Sequence, residues 1–308
     1  MSKILVTGGA GFIGSAVISK LQKEGNDVYV IDNLSFGNRE FIDVKDDHFF
    51  EEDILNRKAI FSIFEKIQPE IVIHLAAIHF IPYCNQHPYE SSNININGTI
   101  NILDAVKKYP AKQVFFASTA AVYPIYDEAV TETHETGPMD IYGLSKLTGE
   151  HLCNEFHLQT KIPVIVCRFF NAFGPNETNP HLIPEIQQQV NSGLRLIKLG
   201  NLTPKRDFIH TSDMANAVNV LLHKVKEGIH TYNLGRGIEY AVTEIVESFS
   251  RQIGEEIKIE VDQARVRKVE RMHLLADVSK LKQLGWEPLV DIDGGIKTLV
   301  NQWQTESR

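Results

Sequence analysis

The first half of the chain alternates short apolar runs with segments of amphipathic, helical periodicity. The runs at 3–7, 27–31, 48–51, 71–74, 113–117 and 164–168 are rich in β-branched and aromatic residues and about five residues long. Strands buried on both faces of a parallel sheet have this character. Between them, 12–24, 57–67 and 95–108 read as amphipathic helices. Strand–helix alternation at this spacing predicts an α/β fold built on a doubly wound parallel sheet. After residue 171 the pattern changes, and Pro175, Pro180, Pro184 and Pro204 break up a loop-rich stretch. The last third mixes strands (231–234, 257–261) with helices (243–253, 291–304). The expected organisation is a first domain over 1–170, to which later segments return, and a smaller α/β C-terminal lobe over 171–308 packed over one end of the sheet. No internal repeat or low-complexity segment interrupts it.

With 308 residues, 43% of them hydrophobic, the chain can bury a large core. Its net charge is −8 and no Lys/Arg run exceeds two residues, which argues against nucleic acid as a partner. An anionic ligand would therefore have to be met by local cations. Cys84, Cys153 and Cys167 form a sparse, odd set without a CxxC pair, so no disulfide framework is expected. The N-terminus lacks the long apolar stretch of a signal peptide. No apolar run approaches the roughly 20 residues that span a bilayer. These features predict a soluble, reduced, cytoplasmic protein with no membrane partner. The histidines show no HExxH-like spacing, and no metal is expected.

Gly8-Gly9-Ala10-Gly11-Phe12-Ile13-Gly14 follows the first strand and opens the first helix. In that context Gly8 permits a tight turn, Gly11 lets backbone N–H groups approach a pyrophosphate, and Gly14 allows close helix–strand packing. The helix N-terminus adds unpaired donors and a positive dipole end. Asp32 ends the second strand, 18 positions after Gly14. A carboxylate there accepts from both ribose hydroxyls of NAD and repels the 2′-phosphate of NADP; the alternative is an ordinary turn aspartate at a strand end. Asp53, after the third strand, has two readings: an acceptor for the adenine amine, or the start of a helix.

Tyr142 and Lys146 stand four apart in a helical stretch, which places them on one face. An ammonium beside a phenol stabilises the phenolate, so the expected pKa of Tyr142 falls toward neutrality, making it a usable acid/base. A surface helix pair would have the same spacing. Position favours chemistry: the pair follows Ser118-Thr119, at the end of the fifth strand, by 23 residues, and open α/β sheets bind ligands at the carboxyl ends of their strands.

Together, TGGAGFIG, Asp32, HLAA at 74–77, the Ser-Thr segment, Tyr142-x-x-x-Lys146 and RFFNAFGP at 168–175 resemble the extended short-chain dehydrogenase/reductase family of NAD-dependent epimerases and dehydratases. KRDFIH at 205–210, LAD at 275–277 and LGW at 284–286 are similar to its nucleotide-sugar branch, that of the UDP-glucose 4-epimerases. The resemblance runs nearly end to end. It implies a Rossmann-type domain, tightly held NAD, a nucleotide-diphosphate sugar as substrate, and a homodimer through the helices at 95–108 and 141–157. Besides the residues above, it places Phe12, Ile13, Asn33, Ile54, Leu75, Ala76, Ala77, Asn95 and Phe169 at the cofactor, with Lys146 on the nicotinamide ribose. On the substrate it places Thr119, Asn171, Arg206, and Arg267 with Glu270, although Arg265, Lys268 and Arg271 crowd the register of that last pair. Arginine suits a diphosphate because its planar fork pairs two oxygens. His181, before Leu182, stands where relatives often carry Asn; Leu274 falls at the position that gates 2-N-acetyl groups. His79 stands where some relatives carry Lys, and either a ligand contact or a packing role fits it.

The resemblance also implies a shared first step, in which Tyr142 takes a proton from a sugar hydroxyl and a 4-keto sugar forms as hydride leaves. Dehydratases then need an Asp-Glu pair after the catalytic Thr, and decarboxylating relatives a Glu at the second of those positions. Ala120-Ala121 stands there instead, and a methyl has no proton to give or take. An epimerase needs only Thr119, Tyr142 and Lys146. The expectation is a UDP-sugar 4-epimerase of the glucose, N-acetylhexosamine or uronate type; a reductase or dehydrogenase that exchanges its cofactor is the alternative.

Overall fold

A computed structural model describes residues 1–266 and 271–306. β1 (Lys3–Thr7) turns through the glycine loop into α1 (Phe12–Lys23), followed by β2 (Asp27–Asp32), β3 (Phe49–Glu51), α2 (Arg57–Ile67) and β4 (Ile71–His74). Two short helices, α3 (Ile81–Gln86) and α4 (Pro88–Ser92), run through a π-turn at Asn93–Gly98 into α5 (Thr99–Lys108). Then come β5 (Gln113–Thr119), α6 (Ile141–Thr160) and β6 (Val164–Phe169). The remainder comprises β7 (Asn171–Phe173), α7 (Leu182–Asn191), β8 (Leu196–Leu199), β9 (Lys205–His210), α8 (Thr211–Lys224), β10 (Ile229–Leu234), β11 (Glu239–Ala241), α9 (Val242–Ile253), β12 (Lys258–Val261), α10 (Ser279–Lys282) and α11 (Ile292–Glu306).

Among the described residues, seven strands form one parallel sheet in the order β10-β6-β5-β4-β1-β2-β3. Every residue of β5 and β6 is buried, which is why these strands read as unbroken apolar runs rather than as an alternation. The order reverses between β1 and β4, and the crevice at their carboxyl ends is where such a sheet binds its ligand. One face of the sheet carries α1 (Val17, Ile18, Leu21) and α8 (Met214, Val218, Leu221). The other carries α2 (Ile60, Phe64), α5 (Ile102, Val106) and α6 (Cys153, Phe156). A third core, with Phe173, Ile186, Phe208, Ile245, Phe249, Ile296 and Val300, fills the lobe. The lobe's strands make two small sheets, β11-β9-β7 and β12-β8. The segment 211–234 follows the lobe's first strands in sequence but belongs to the large sheet: α8 lies beside α1 and β10 pairs with β6.

Several boundaries shift from the sequence expectation. β2, β5 and β6 each extend one or two residues beyond the apolar runs, so that Asp32 and Thr119, as expected, and Phe169 are the last residues of their strands. The helix expected from residue 95 starts its α-helical part at 99, because Asn93–Gly98 adopts the wider π-turn. α3 and α4 are separate because Pro88, at the first position of α4, cannot supply the amide that would continue α3.

α6 lies close against β5 because residue 149 has no side chain. A Cβ on Gly149 would collide with the tip of the Phe116 ring. Gly149→Ala is therefore expected to destabilise the protein by about 1–3 kcal/mol, the usual cost of overpacking, read as a lower denaturation midpoint with unchanged m-value.

Candidate active site

A cleft of about 1180 Å³ opens at the carboxyl ends of β1, β4 and β5 and continues under the lobe. It exceeds the several hundred Å³ typical of a site for one small molecule, leaving room for a dinucleotide and a second ligand. Gly8, Gly11, Phe12, Ile13 and Gly14 line one end. These glycines are small for different reasons. Gly8 has φ +72° and a Cβ there would lie 2.6 Å from the Ala76 nitrogen; a Cβ on Gly14 would collide with the Gly8 carbonyl. Both are demanded by the chain itself. A Cβ on Gly11 would meet only the Gly8 oxygen, at 3.3 Å, so its absence chiefly leaves space in the cleft. Gly11 is also the N-cap of α1 and offers no side-chain cap. The first amides of α1 thus face an anion-sized space with a positive dipole end behind them, which fits a dinucleotide pyrophosphate.

Asp32 also lines the cleft. Its Oδ2 accepts from the Ala10 amide and its Oδ1 from the Leu34 amide, both at 2.9 Å. The carboxylate therefore braces the glycine loop and keeps lone pairs for ribose hydroxyls. Burial pushes its pKa up, while the two amides pull it down. Asn33, Ile54, Leu75, Ala76, Ala77 and Phe169 line the cleft as well. Two expected cofactor residues do not. Asp53 accepts from the Leu55 amide and from Asn33 Nδ2, so its carboxylate organises the turn, and Glu52 and Ile54 beside it face the cleft. Asn95 is buried in the π-turn, where its side chain grips the Ile78 backbone and Ser145 Oγ.

Thr119, Tyr142 and Lys146 all line the cleft. Thr119 and Ser118 are delivered by the end of β5; Tyr142 and Lys146 by the first turns of α6, which starts where Asp140 Oδ1 caps the Gly143 amide. The expected fall in the pKa of Tyr142 does not occur in this arrangement. Burial raises it, the hydrogen bond with Thr119 lowers it, and Cys84 and Asp140 raise it. Burial dominates, and Lys146 is not among the groups acting on Tyr142: its ammonium lies over the face of Phe116, 4.3 Å from the ring centre. Burial pushes Lys146 itself down to about 8, with Cys153 and Glu150 acting in the opposite direction. Ala120 and Ala121 both line the cleft, so the positions beside Thr119 present methyls.

Behind this face lies a buried network that the sequence reading missed. Arg168 is paired with Glu150 through Nε–Oε1 (2.9 Å) and Nη2–Oε2 (2.7 Å), and Ser118 Oγ donates to the same carboxylate. Arg168 also donates to the Tyr123 hydroxyl, which donates to Asn233 Oδ1 on β10. Glu150 stands four residues after Lys146, so extending the Tyr142–Lys146 spacing by one turn would have found it. The network fixes α6 against β5 and β6.

On the lobe side, His79, Asn171, His181, Leu182, Arg206 and Leu274 all line the cleft. Asn179 Nδ2 lies 3.1 Å from His79 Nε2, and burial holds His79 near 4, so it is neutral. His181 occupies the N-cap position of α7 without a side-chain cap hydrogen bond, its Nδ1 lying 3.4 Å from Glu177 Oε2. Arg206 Nη1 donates to the carbonyls of Lys205 and Arg271. Arg267 and Glu270 lie outside the described residues. Glu177 and Phe80 line the cleft without having been read from the sequence as ligand groups, and Arg265 and Arg271, which crowded the register of the expected pair, line it as well; Glu177, Phe80 and Arg271 stand outside helices and strands, where no periodicity marks a side chain's direction.

Residues 4–235 match the profile of the NAD dependent epimerase/dehydratase family. The chain is 33% identical over 312 residues to a UDP-glucose 4-epimerase of Bacillus subtilis, covering 92% of this chain and 91% of that protein. It is 30% identical over 323 residues to a UDP-glucuronate 4-epimerase of Thermodesulfobacterium geofontis, covering 100% and 97%. Among solved structures, the UDP-glucose 4-epimerase of Bifidobacterium longum in complex with NAD+ and UDP superposes with a TM-score of 0.89 at 27% identity, over 99% of this chain and 98% of that one. The fold, the glycine loop at its switch point and these likenesses agree, and the chain belongs to the NAD dependent epimerase/dehydratase family.

Proposed function

We propose that the protein is a UDP-sugar 4-epimerase that uses NAD. The observation that carries this reading is that Thr119, Tyr142 and Lys146 meet in the cleft opened by the glycine loop, with only methyls at Ala120 and Ala121 beside them. When bound, NAD supplies a carrier that removes one hydride from the sugar and returns it. The chain does the rest. The α1 amides and Asp32 hold pyrophosphate and ribose. Arg206 is the described cation assigned to the substrate diphosphate, with Arg267 and Glu270 completing that grip. The Tyr142 oxygen takes the proton of the C4 hydroxyl and later gives it back, with the Thr119 hydroxyl beside it. Tyr142 needs positive charge nearby to do so, and Lys146, leaving the face of Phe116, is the chain's own source of it. The keto sugar must then turn over, for which the cleft has room.

Relatives acting on glucose and on glucuronate nucleotides favour UDP-glucose, UDP-galactose and their uronates as first substrates to try. Cys84, Cys153 and Cys167 are all buried free thiols, as suits the cytoplasm. Among the described residues no helix is long and apolar enough to cross a membrane. On α6, Leu144 and Leu158 are exposed, and we assign this face to a homodimer contact.

Four measurements test this reading. Purified protein should release NAD on denaturation and interconvert a UDP-sugar with its C4 epimer without net NADH. Stoichiometric consumption of added NADH would instead show the reductase. Tyr142→Phe should remain folded and NAD-loaded while turnover falls by about 10²–10⁴-fold; near-parental turnover removes Tyr142 from its role. Lys146→Met tests the cost of the buried ammonium. Folded Lys146 titrates near 8 against 10.5 ordinarily, so between these values the unfolded chain holds more protons and stability rises with pH. Below that window the full cost of burying the charge is present. Lys146→Met should therefore be more stable near pH 7 by on the order of 1–3 kcal/mol, the advantage shrinking as pH rises above about 8 and gone beyond 10.5, with turnover lost. Finally, a Leu144→Glu, Leu158→Glu double variant should sediment as a monomer where the parent sediments as a dimer.

A further inference from the structure

His74, the first residue of the HLAA segment, is 2% exposed and does not line the cleft. Both of its ring nitrogens are engaged: Nδ1 lies 2.6 Å from the Thr7 hydroxyl and Nε2 3.0 Å from the Thr99 hydroxyl. The Thr99 hydroxyl in turn donates to the Asn95 carbonyl at 2.6 Å. A carbonyl can only accept, and a hydroxyl has one proton. Thr99 therefore spends its proton on Asn95 and must accept from Nε2–H. That leaves Nδ1 bare, and Thr7 donates to it. One direction of donation runs through the whole chain, Thr7 to His74 to Thr99 to Asn95, and all four residues are buried.

The two ends of this chain are the two halves of the site. Thr7 is the last residue of β1, and Gly8 follows it. Asn95 sits in the π-turn, and its side chain accepts from the Ile78 amide (2.8 Å) and donates to the Ile78 carbonyl (2.9 Å) and to Ser145 Oγ (2.9 Å). Ser145 lies between Tyr142 and Lys146 on α6 and donates to the Tyr142 carbonyl. The π-turn places a side-chain hydroxyl, that of Thr99, on the Asn95 carbonyl; such turns recur at functional sites. Phe116 separates the relay from the catalytic cation, with the His74 ring 5.9 Å away and Lys146 4.3 Å over its face. Burial and the Lys146 charge push His74 down to about 3.

We propose that His74, as the Nε2–H tautomer, is a positioning residue for the epimerase reaction. It ties the strand end that seats the cofactor to the π-turn that holds the catalytic helix. The assignment rests on the function proposed above for its consequence, but the tautomer does not depend on it. A protonated or Nδ1–H ring would break the one-way chain and leave a buried hydroxyl or ring N–H without a partner.

Two experiments test it. In the full chain with NAD, labelled with ¹⁵N-histidine and assigned by loss of signals in His74→Gln, long-range NMR correlations should show His74 protonated at Nε2 only, unchanged between about pH 5 and about pH 8. An Nδ1–H tautomer, or titration in that range, overturns the relay. Thr99→Val removes the hydroxyl at constant shape. It should retain NAD and KM within about twofold and lose kcat by about 10- to 100-fold, as a misplaced catalytic group does, and Thr99→Ser should restore kcat. An unchanged kcat in Thr99→Val, or a Thr99→Ser variant equally impaired, overturns the positioning role. If the parent turns over no UDP-sugar, the functional reading fails while the NMR result still decides the relay.

Discussion

The inner face of α6 carries two buried charges, Lys146 and Glu150, one turn apart, and much of the site's geometry is the means of accommodating them. Neither is tolerable without partners in an interior of low polarity. Glu150 takes the Arg168 fork and the Ser118 hydroxyl. Lys146 takes the face of Phe116, which can lie there only because Gly149 leaves room for it. The helix is thereby fixed in rotation and height against β5 and β6. That orientation brings Tyr142 to Thr119 and leaves both Tyr142 and Lys146 lining the cleft. The same burial that orients these groups shifts their protonation, raising Tyr142 and lowering Lys146. The site is held together at a cost in stability that a purely structural helix would not carry.

The lining of the cleft is divided between the large sheet and the lobe by the sheet's topology. The strand-order reversal between β1 and β4 makes a crevice, and the end of β1, the tip of β4 and the end of β5 all open into it. The lobe closes over it with its own core and contributes Arg206, His181 and Leu274. Asp207 joins the two: buried on β9, its carboxylate accepts from the amides of Arg236, Gly237 and Ala276, so the strand that presents Arg206 is locked to the loop after β10 of the large sheet.

How far function could be read ahead of structure depended on whether a residue's role is local. Gly8, Gly11, Gly14 and Asp32 act through a turn and a strand end, and their spacing in one strand–loop–helix unit was legible. Tyr142 and Lys146 were legible as a helical pair, but the direction of the Tyr142 shift was not. It depends on Phe116 capturing the ammonium and on the depth of burial. Asp53 and Asn95 were read as ligand groups because they stand at the right places in sequence. In the fold, Asp53 turns to Leu55 and Asn33, and Asn95 turns inward to Ile78 and Ser145.

The sequence by itself determined the parallel α/β sheet, the glycine loop and the three side chains Thr119, Tyr142 and Lys146 that line the cleft, because each is encoded by periodicity or spacing within a short stretch. Tertiary structure alone decided which polar groups face the cleft and which brace it. Thr7, His74 and Thr99 lie far apart in the chain and meet only when β1, β4 and α5 pack. Glu150 and Arg168 meet only across α6 and β6. A hydrogen bond depends on distances of a few tenths of an ångström and on direction, and those are set by packing between elements that the pattern within any one element does not contain.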